Sequence, residues 1–176
     1  MAVIDGEQTV IGAGRSVGPE PGPRTLSAPP LPPTAPVDES EAMTEKTAVT
    51  PAGHTTPPAR FSHGVRKGNI LQTAGQVGFL PAQEGEPPVV AGPGLREQTL
   101  RTFANVLAVL EAGGASWEDV VMLRVYLTDT GHFAEFNEVY DAYFADLKGV
   151  PAARTTVYVG LPAGLLVEID ALAVLD

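Results

Sequence analysis

Proline decides first how much of this chain can fold. Eleven of its seventeen prolines lie within residues 1–60, in runs such as Pro29-Pro30-Leu31-Pro32-Pro33. Such runs lack amide donors and fix φ, so they build neither helix nor central strand. Residues 1–42 carry two basic side chains (Arg15, Arg24) against six acidic ones. That composition predicts a disordered, Pro-rich extension over residues 1–50 and a single folded domain over 51–176. Met43 opens MTEKTAVTPAG, which resembles an ordinary start, so the extension is expected to lie upstream of a true start at Met43. The run Thr9-Val10-Ile11-Gly12-Ala13-Gly14 imitates a dinucleotide-binding turn. Its third glycine is out of place, with Val17 at that position, and Pro19, Pro21 and Pro23 forbid the helix that must follow.

The remainder is patterned by period. Residues 61–76, FSHGVRKGNILQTAGQ, read as strand, turn at Lys67-Gly68-Asn69, and strand. Residues 81–94 are a loop. Leu100, Phe103, Val106, Leu107 and Leu110 form one apolar helical face that Gly113-Gly114 ends. Val121, Leu123, Val125 and Leu127 alternate along a strand. Phe133, Phe136, Tyr140, Tyr143, Phe144 and Leu147 line a second helix, expected as core, ended by Gly149 and Pro151. The last stretch reads as two strands joined by a Gly/Pro turn. The order β-β-α-β-α-β-β, with hairpins at both ends, predicts an α+β fold: one mixed sheet with both helices on one face. In the last strand Val167, Ile169, Ala171 and Ala173 then face the helices. Leu166, Glu168, Asp170 and Leu172 face an open side, which predicts oligomerisation.

Several functions are excluded or disfavoured. There is no cysteine, hence no disulfide, thiolate catalysis or zinc-thiolate site. His54, His63 and His132 are not spaced as metal ligands, so no metal is expected. No apolar run reaches the eighteen or so residues of a membrane span, and no secretory leader pattern opens the chain, so a cytoplasmic location is expected. Residues 43–176 hold nine basic and fifteen acidic side chains, the wrong balance for a nucleic-acid partner.

Two charged residues stand out in the most apolar segment: Arg154 at the start of one strand, and Glu168 between Val167 and Ile169. By spacing alone they could be a structural ion pair or a site. Four stretches bear on the choice: Gly68-Asn69 through Thr73-Ala74-Gly75-Gln76; the helix and glycine end over 97–114; Phe133 through Tyr140; and Pro151-Ala152-Ala153-Arg154 through Val167-Glu168-Ile169-Asp170. Together they resemble the YjgF/YER057c (Rid) family of reactive-intermediate deaminases. The resemblance implies a chorismate-mutase-like fold, a homotrimer with three intersubunit clefts, and cofactor-independent hydrolysis of 2-imino or enamino acids such as 2-aminoacrylate and 2-iminobutyrate. It implies that Arg154 clamps the substrate carboxylate and that Glu168 holds the attacking water, with Phe61, Ala74, Gly75, Asn137 and Thr156 around the substrate. A planar guanidinium suits a carboxylate because it bonds it bidentately and stays charged. Burial is expected to raise the pKa of Glu168 and Arg154 to lower it. Many deaminases have Tyr, Ser and Cys where this chain has Phe61, Ala74 and Thr156, and the turn between the last two strands is one residue short. A larger or less polar imine, or a non-catalytic carboxylate- or protein-binding role, follows from those departures.

Overall fold

The computed structural model describes residues 45–54, 57, 59–81 and 85–176. The Gly-rich imitation motif and the possible start at Met43 lie outside the described residues, as does most of the expected extension. One part of that extension is folded: Thr47–Val49 (β1) pairs with Gly64–Lys67 (β2), so the sheet begins ahead of the expected boundary at residue 51.

The predicted first hairpin is present. β2 pairs antiparallel with Ile70–Thr73 (β3) through a turn in which Gly68 takes φ of 60°, a value that suits glycine. Gln76–Val77 (β4) follows. Residues 78–91 make an excursion pinned by Leu80 N–H to Val89 O and Ala91 N–H to Gly78 O, each 2.8 Å. Helix α1 spans Leu95–Ala112 and ends where expected: Gly113 donates to Val109 O, and Gly114, at φ of 81°, lets Ala115 reach Leu110 O at 2.9 Å. A single 3₁₀ turn, Trp117–Asp119, enters β5 (Val120–Leu127). Helix α2 (Phe133–Tyr143) leads to β6 (Ala153–Tyr158), and β7 (Val167–Val174) closes the chain. No described helix is long and apolar enough to cross a membrane.

The strands form one mixed sheet in the order β1-β2-β3-β7-β5-β6, with β4 also on β7. The expected terminal hairpin is not there. β6 runs parallel to β5, and β7 lies antiparallel on the other side of β5. Adjacent parallel strands need a crossover, and α2 supplies it, so β5-α2-β6 is a βαβ unit. β5 therefore separates the two strands expected to be neighbours.

The core lies between the sheet and the helices. Val167, Ile169, Ala171 and Ala173 are fully buried there, as their alternation predicts. So are Phe103, Val106 and Leu110 of α1. Leu100 is 41% exposed, however, and Leu107 only half-buried. A step of about 100° per residue puts both roughly 100–120° away from Val106, and Leu95, Thr99, Thr102 and Val109 complete the buried stripe instead. Along β5 the expected Val121 is exposed and Val120 is buried, because a bulge between Val120 and Met122 shifts the alternation by one residue. In α2, Phe136 is fully buried and Tyr140, Tyr143 and Phe144 pack on the core, while Phe133, expected inside, is exposed. The phenyl ring of Phe103 is the hub, with the rings of Tyr143, Phe144, Tyr140, Trp117 and Phe136 at 4.6 to 6.3 Å.

Candidate active site

The residues expected at the site fall into two groups, on opposite faces of the sheet. Arg154 belongs to the helix side. It pairs in register with Leu123, a core residue, and its Nη2 donates to Asn137 Oδ1 of α2 at 2.7 Å. Its guanidinium stands 4.5 Å from the ring centre of Tyr140 and 5.6 Å from that of Phe136. Two ring faces and one amide fix the plane of the fork and leave the rest of its donors free for an anion. Thr156 lies two residues on along the same strand, hence on the same face. β6 is an edge strand, so this group sits at a rim of the sheet.

Glu168 belongs to the open side. It pairs with Tyr126 of β5 and Val77 of β4. Gly75 lies directly against it: a Cβ on Gly75 would fall 1.8 Å from Glu168 Oε1. The local sequence explains this approach. β3 and β4 both pair with β7, but the ladder breaks at Ala74-Gly75. The Thr73 hydroxyl fills the gap by accepting from Ala171 N–H at 2.9 Å. The Gln76 amide donates to the carbonyls of Ala74 and Gly75 at 3.2 and 3.3 Å, which holds the kink. Ala74 N–H bonds His63 O at 2.8 Å, drawing the segment that begins at Phe61 alongside. Phe61 is 55% exposed. Phe61, Ala74, Gly75 and Glu168 thus share one location, and Arg154, Asn137 and Thr156 another.

Within one chain Arg154 and Glu168 make no ion pair, and the expected lowering of the Glu168 pKa by Arg154 is absent. Burial pushes the Glu168 carboxyl above its ordinary range, and the neighbouring Asp170 carboxylate pushes it further. The only ion pair among the described residues lies beside it. Arg124 Nη2 and Asp170 Oδ1 are 2.5 Å apart, and Arg124 also donates to Gln72 Oε1 at 2.9 Å. Gln72 and the Tyr126 hydroxyl donate to the two oxygens of Asp170, at 3.0 and 2.9 Å. Asp170, only 6% exposed, is thereby satisfied at every turn.

Sequence reading missed this network and the stacking role of Tyr140 and Phe136. Arg124 and Tyr126 carry a signal, since they alternate with the core residues Leu123, Val125 and Leu127. Tyr140 carries one too: it follows Asn137 by three positions, so both look out over one helix face.

Comparison with known proteins bears on the same residues. The family model described as Endoribonuclease L-PSP matches residues 53–175. The RutC family protein SSO3206 of Saccharolobus solfataricus is 43% identical over 118 residues, covering 66% of this chain and 88% of the relative. TdcF of Escherichia coli, whose name proposes a reactive intermediate deaminase, is 34% identical over 115 residues, 65% of this chain and 85% of TdcF. The crystal structure of E. coli TdcF with bound serine matches with a TM-score of 0.64 at 30% identity, over 74% of this chain and 99% of TdcF. With the family model spanning the whole sheet-and-helix domain and the solved structures sharing its fold, the chain belongs to the YjgF/Rid family.

Proposed function

We propose that the protein hydrolyses a reactive 2-imino or enamino acid to the 2-keto acid and ammonia, at a site completed between subunits of a homotrimer. The observation that carries this reading is the split of the site residues between two faces of the sheet. A carboxylate clamp waits at one rim and a carboxyl of raised pKa on the open face, and only a second copy could bring them together. The exposed Val157 and Tyr158 of edge strand β6 suit burial against such a copy.

In this reading Arg154 grips the substrate carboxylate through the donors that Asn137 does not occupy. Water adds to the C=N carbon as Glu168 takes its proton. The same proton goes to nitrogen, the C–N bond of the resulting carbinolamine breaks, and ammonia leaves. A carboxyl held above its ordinary range is suited to take and return a proton near neutrality. Hydrolysis changes no oxidation state, so the chemistry asks for no redox cofactor. The serine bound to TdcF is a small amino acid with a carboxylate, the ligand class that Arg154 fits. Phe61 and Ala74 offer no hydroxyl near Glu168, which favours a larger or less polar imine than 2-iminobutyrate.

That same lack of hydroxyls favours a second reading, a non-catalytic trimer that binds small carboxylates. Glu168→Gln separates the two, because binding survives it and turnover does not. The endoribonuclease of the family description has less support here: the open face presents Glu168 and Asp170, and its one arginine, Arg124, is already paired.

A coupled assay tests the proposal. A threonine dehydratase generates 2-iminobutyrate in the presence of semicarbazide, and bulkier imines are generated in parallel by an amino-acid oxidase. The wild-type protein lowers semicarbazone formation from at least one of them. Arg154→Ala loses about a hundredfold in kcat/KM, the worth of a charge-assisted hydrogen-bonded pair. Equal semicarbazone with and without wild-type protein, for every imine, rejects the enzyme reading.

A further inference from the structure

A cavity of about 190 Å³ lies apart from both groups of site residues, between the 3₁₀ turn, the end of α2 and the approach to β6. Its walls include Trp117, Leu123, Tyr140, Phe144 and Leu147, and exposed Gly149 and Pro151 form its rim. None of Arg154, Asn137, Thr156 or Glu168 lines it.

Two features define what would fit. The first is size and lining. An apolar, aromatic-walled cavity of this volume stays dry or takes up a molecule of one ring, and it is too small for most drug-sized ligands. The second is an unmet donor. Trp117 Nε1 is buried with no hydrogen-bond partner, and a buried donor left unpaired is costly. A ligand with one acceptor would relieve that cost. The only ionisable acid on the wall is Asp141, whose negative charge disfavours an anion.

We propose that this cavity is a second ligand site, for a neutral one-ring aromatic molecule carrying a single hydrogen-bond acceptor such as an alcohol or a ketone. Tyr140 forms part of its wall and also carries the Arg154 guanidinium, so the site stands directly behind the clamp. The proposal does not depend on the deaminase reading.

Trp117 is the only tryptophan in the chain, so its emission reports on the cavity alone. The full-length protein is titrated with benzyl alcohol, with toluene and benzoate in parallel, under excitation at the red edge of indole absorption. Benzyl alcohol produces a saturable spectral shift. Toluene, which lacks the acceptor, binds about tenfold more weakly, and benzoate more weakly still. Filling the cavity with Leu147→Phe abolishes the shift while the melting temperature is kept, and Ala152→Leu serves as a second filled variant if the first fails to fold. The proposal is overturned by no saturable shift, by a shift that persists in a folded filled variant, or by three probes of equal affinity.

Discussion

The two faces of the sheet solve different problems with the same alternating strands. On the helix side, β5 and β7 present Leu123, Val125, Ile169 and Ala171 to a dry aromatic cluster centred on Phe103. On the open side, the residues between them are Arg124, Tyr126, Glu168 and Asp170, tied into one polar network with Gln72. The covered face gains stability from area removed from water. The open face holds a buried carboxylate whose oxygens are all spoken for, an arrangement that gives little net stability but fixes what stands beside Glu168. Stability and chemistry are thus assigned to opposite sides of one ladder. The clamp is the exception that links them, because Arg154 works from the helix side, seated on rings that belong to the core.

Three substitutions put that division under strain. The largest effect is expected on the covered face. Phe103→Ala removes the hub of five ring contacts and destabilises the protein by about 3–5 kcal/mol, read as a fall in the denaturation midpoint. A loss under about 1 kcal/mol would mean that the cluster is not the core's centre. On the open face, Gly75→Ala forces the Glu168 carboxylate aside, since the clash is with the end of a flexible side chain. Turnover falls roughly tenfold to a hundredfold while the melting temperature hardly moves; an equal loss of both would make Gly75 a packing residue. The smallest effect concerns pH. The folded-state pKa of Glu168 is raised, so the folded protein binds more protons than the unfolded chain between the ordinary carboxylate value and the raised one. Stability therefore falls as pH rises through that window. Glu168→Gln flattens the decline, and melting curves from about pH 4 to 7 check it; an unchanged slope would show that another group controls it.

Long periodic elements were legible in the amino-acid order. The helix over α1, the glycine stop at 113–114, the β2–β3 turn and the facing of β7 follow from spacing alone. What escaped was set by events that spacing does not encode. One bulge at Val120 reverses which valine of β5 is inside. The buried stripe of α1 uses Thr99 and Thr102, which a search for apolar residues passes over, in place of Leu100. The final hairpin was a wrong inference with a readable cure: strand, helix and strand in succession form a crossover, and a crossover makes β6 parallel to β5. That correction moves Arg154 and Glu168 apart. The candidate residues themselves were recognisable from the Thr-Ala-Gly-Gln and Ala-Arg stretches, whereas their separation depends on register between strands distant in the chain. The Arg124–Asp170 pair, 46 residues apart, was hidden for the same reason.

The division of the site between chains is the central claim, and mixing two broken chains tests it. Arg154→Ala and Glu168→Gln are co-expressed with different affinity tags, and oligomers carrying both are purified and assayed with the imine that the wild-type protein consumes. If each site takes its arginine from one subunit and its glutamate from the next, random assembly restores about a quarter of the sites, and activity rises well above that of either variant alone. If both residues act within one chain, the mixed oligomers stay as inactive as their parents, and the account is wrong.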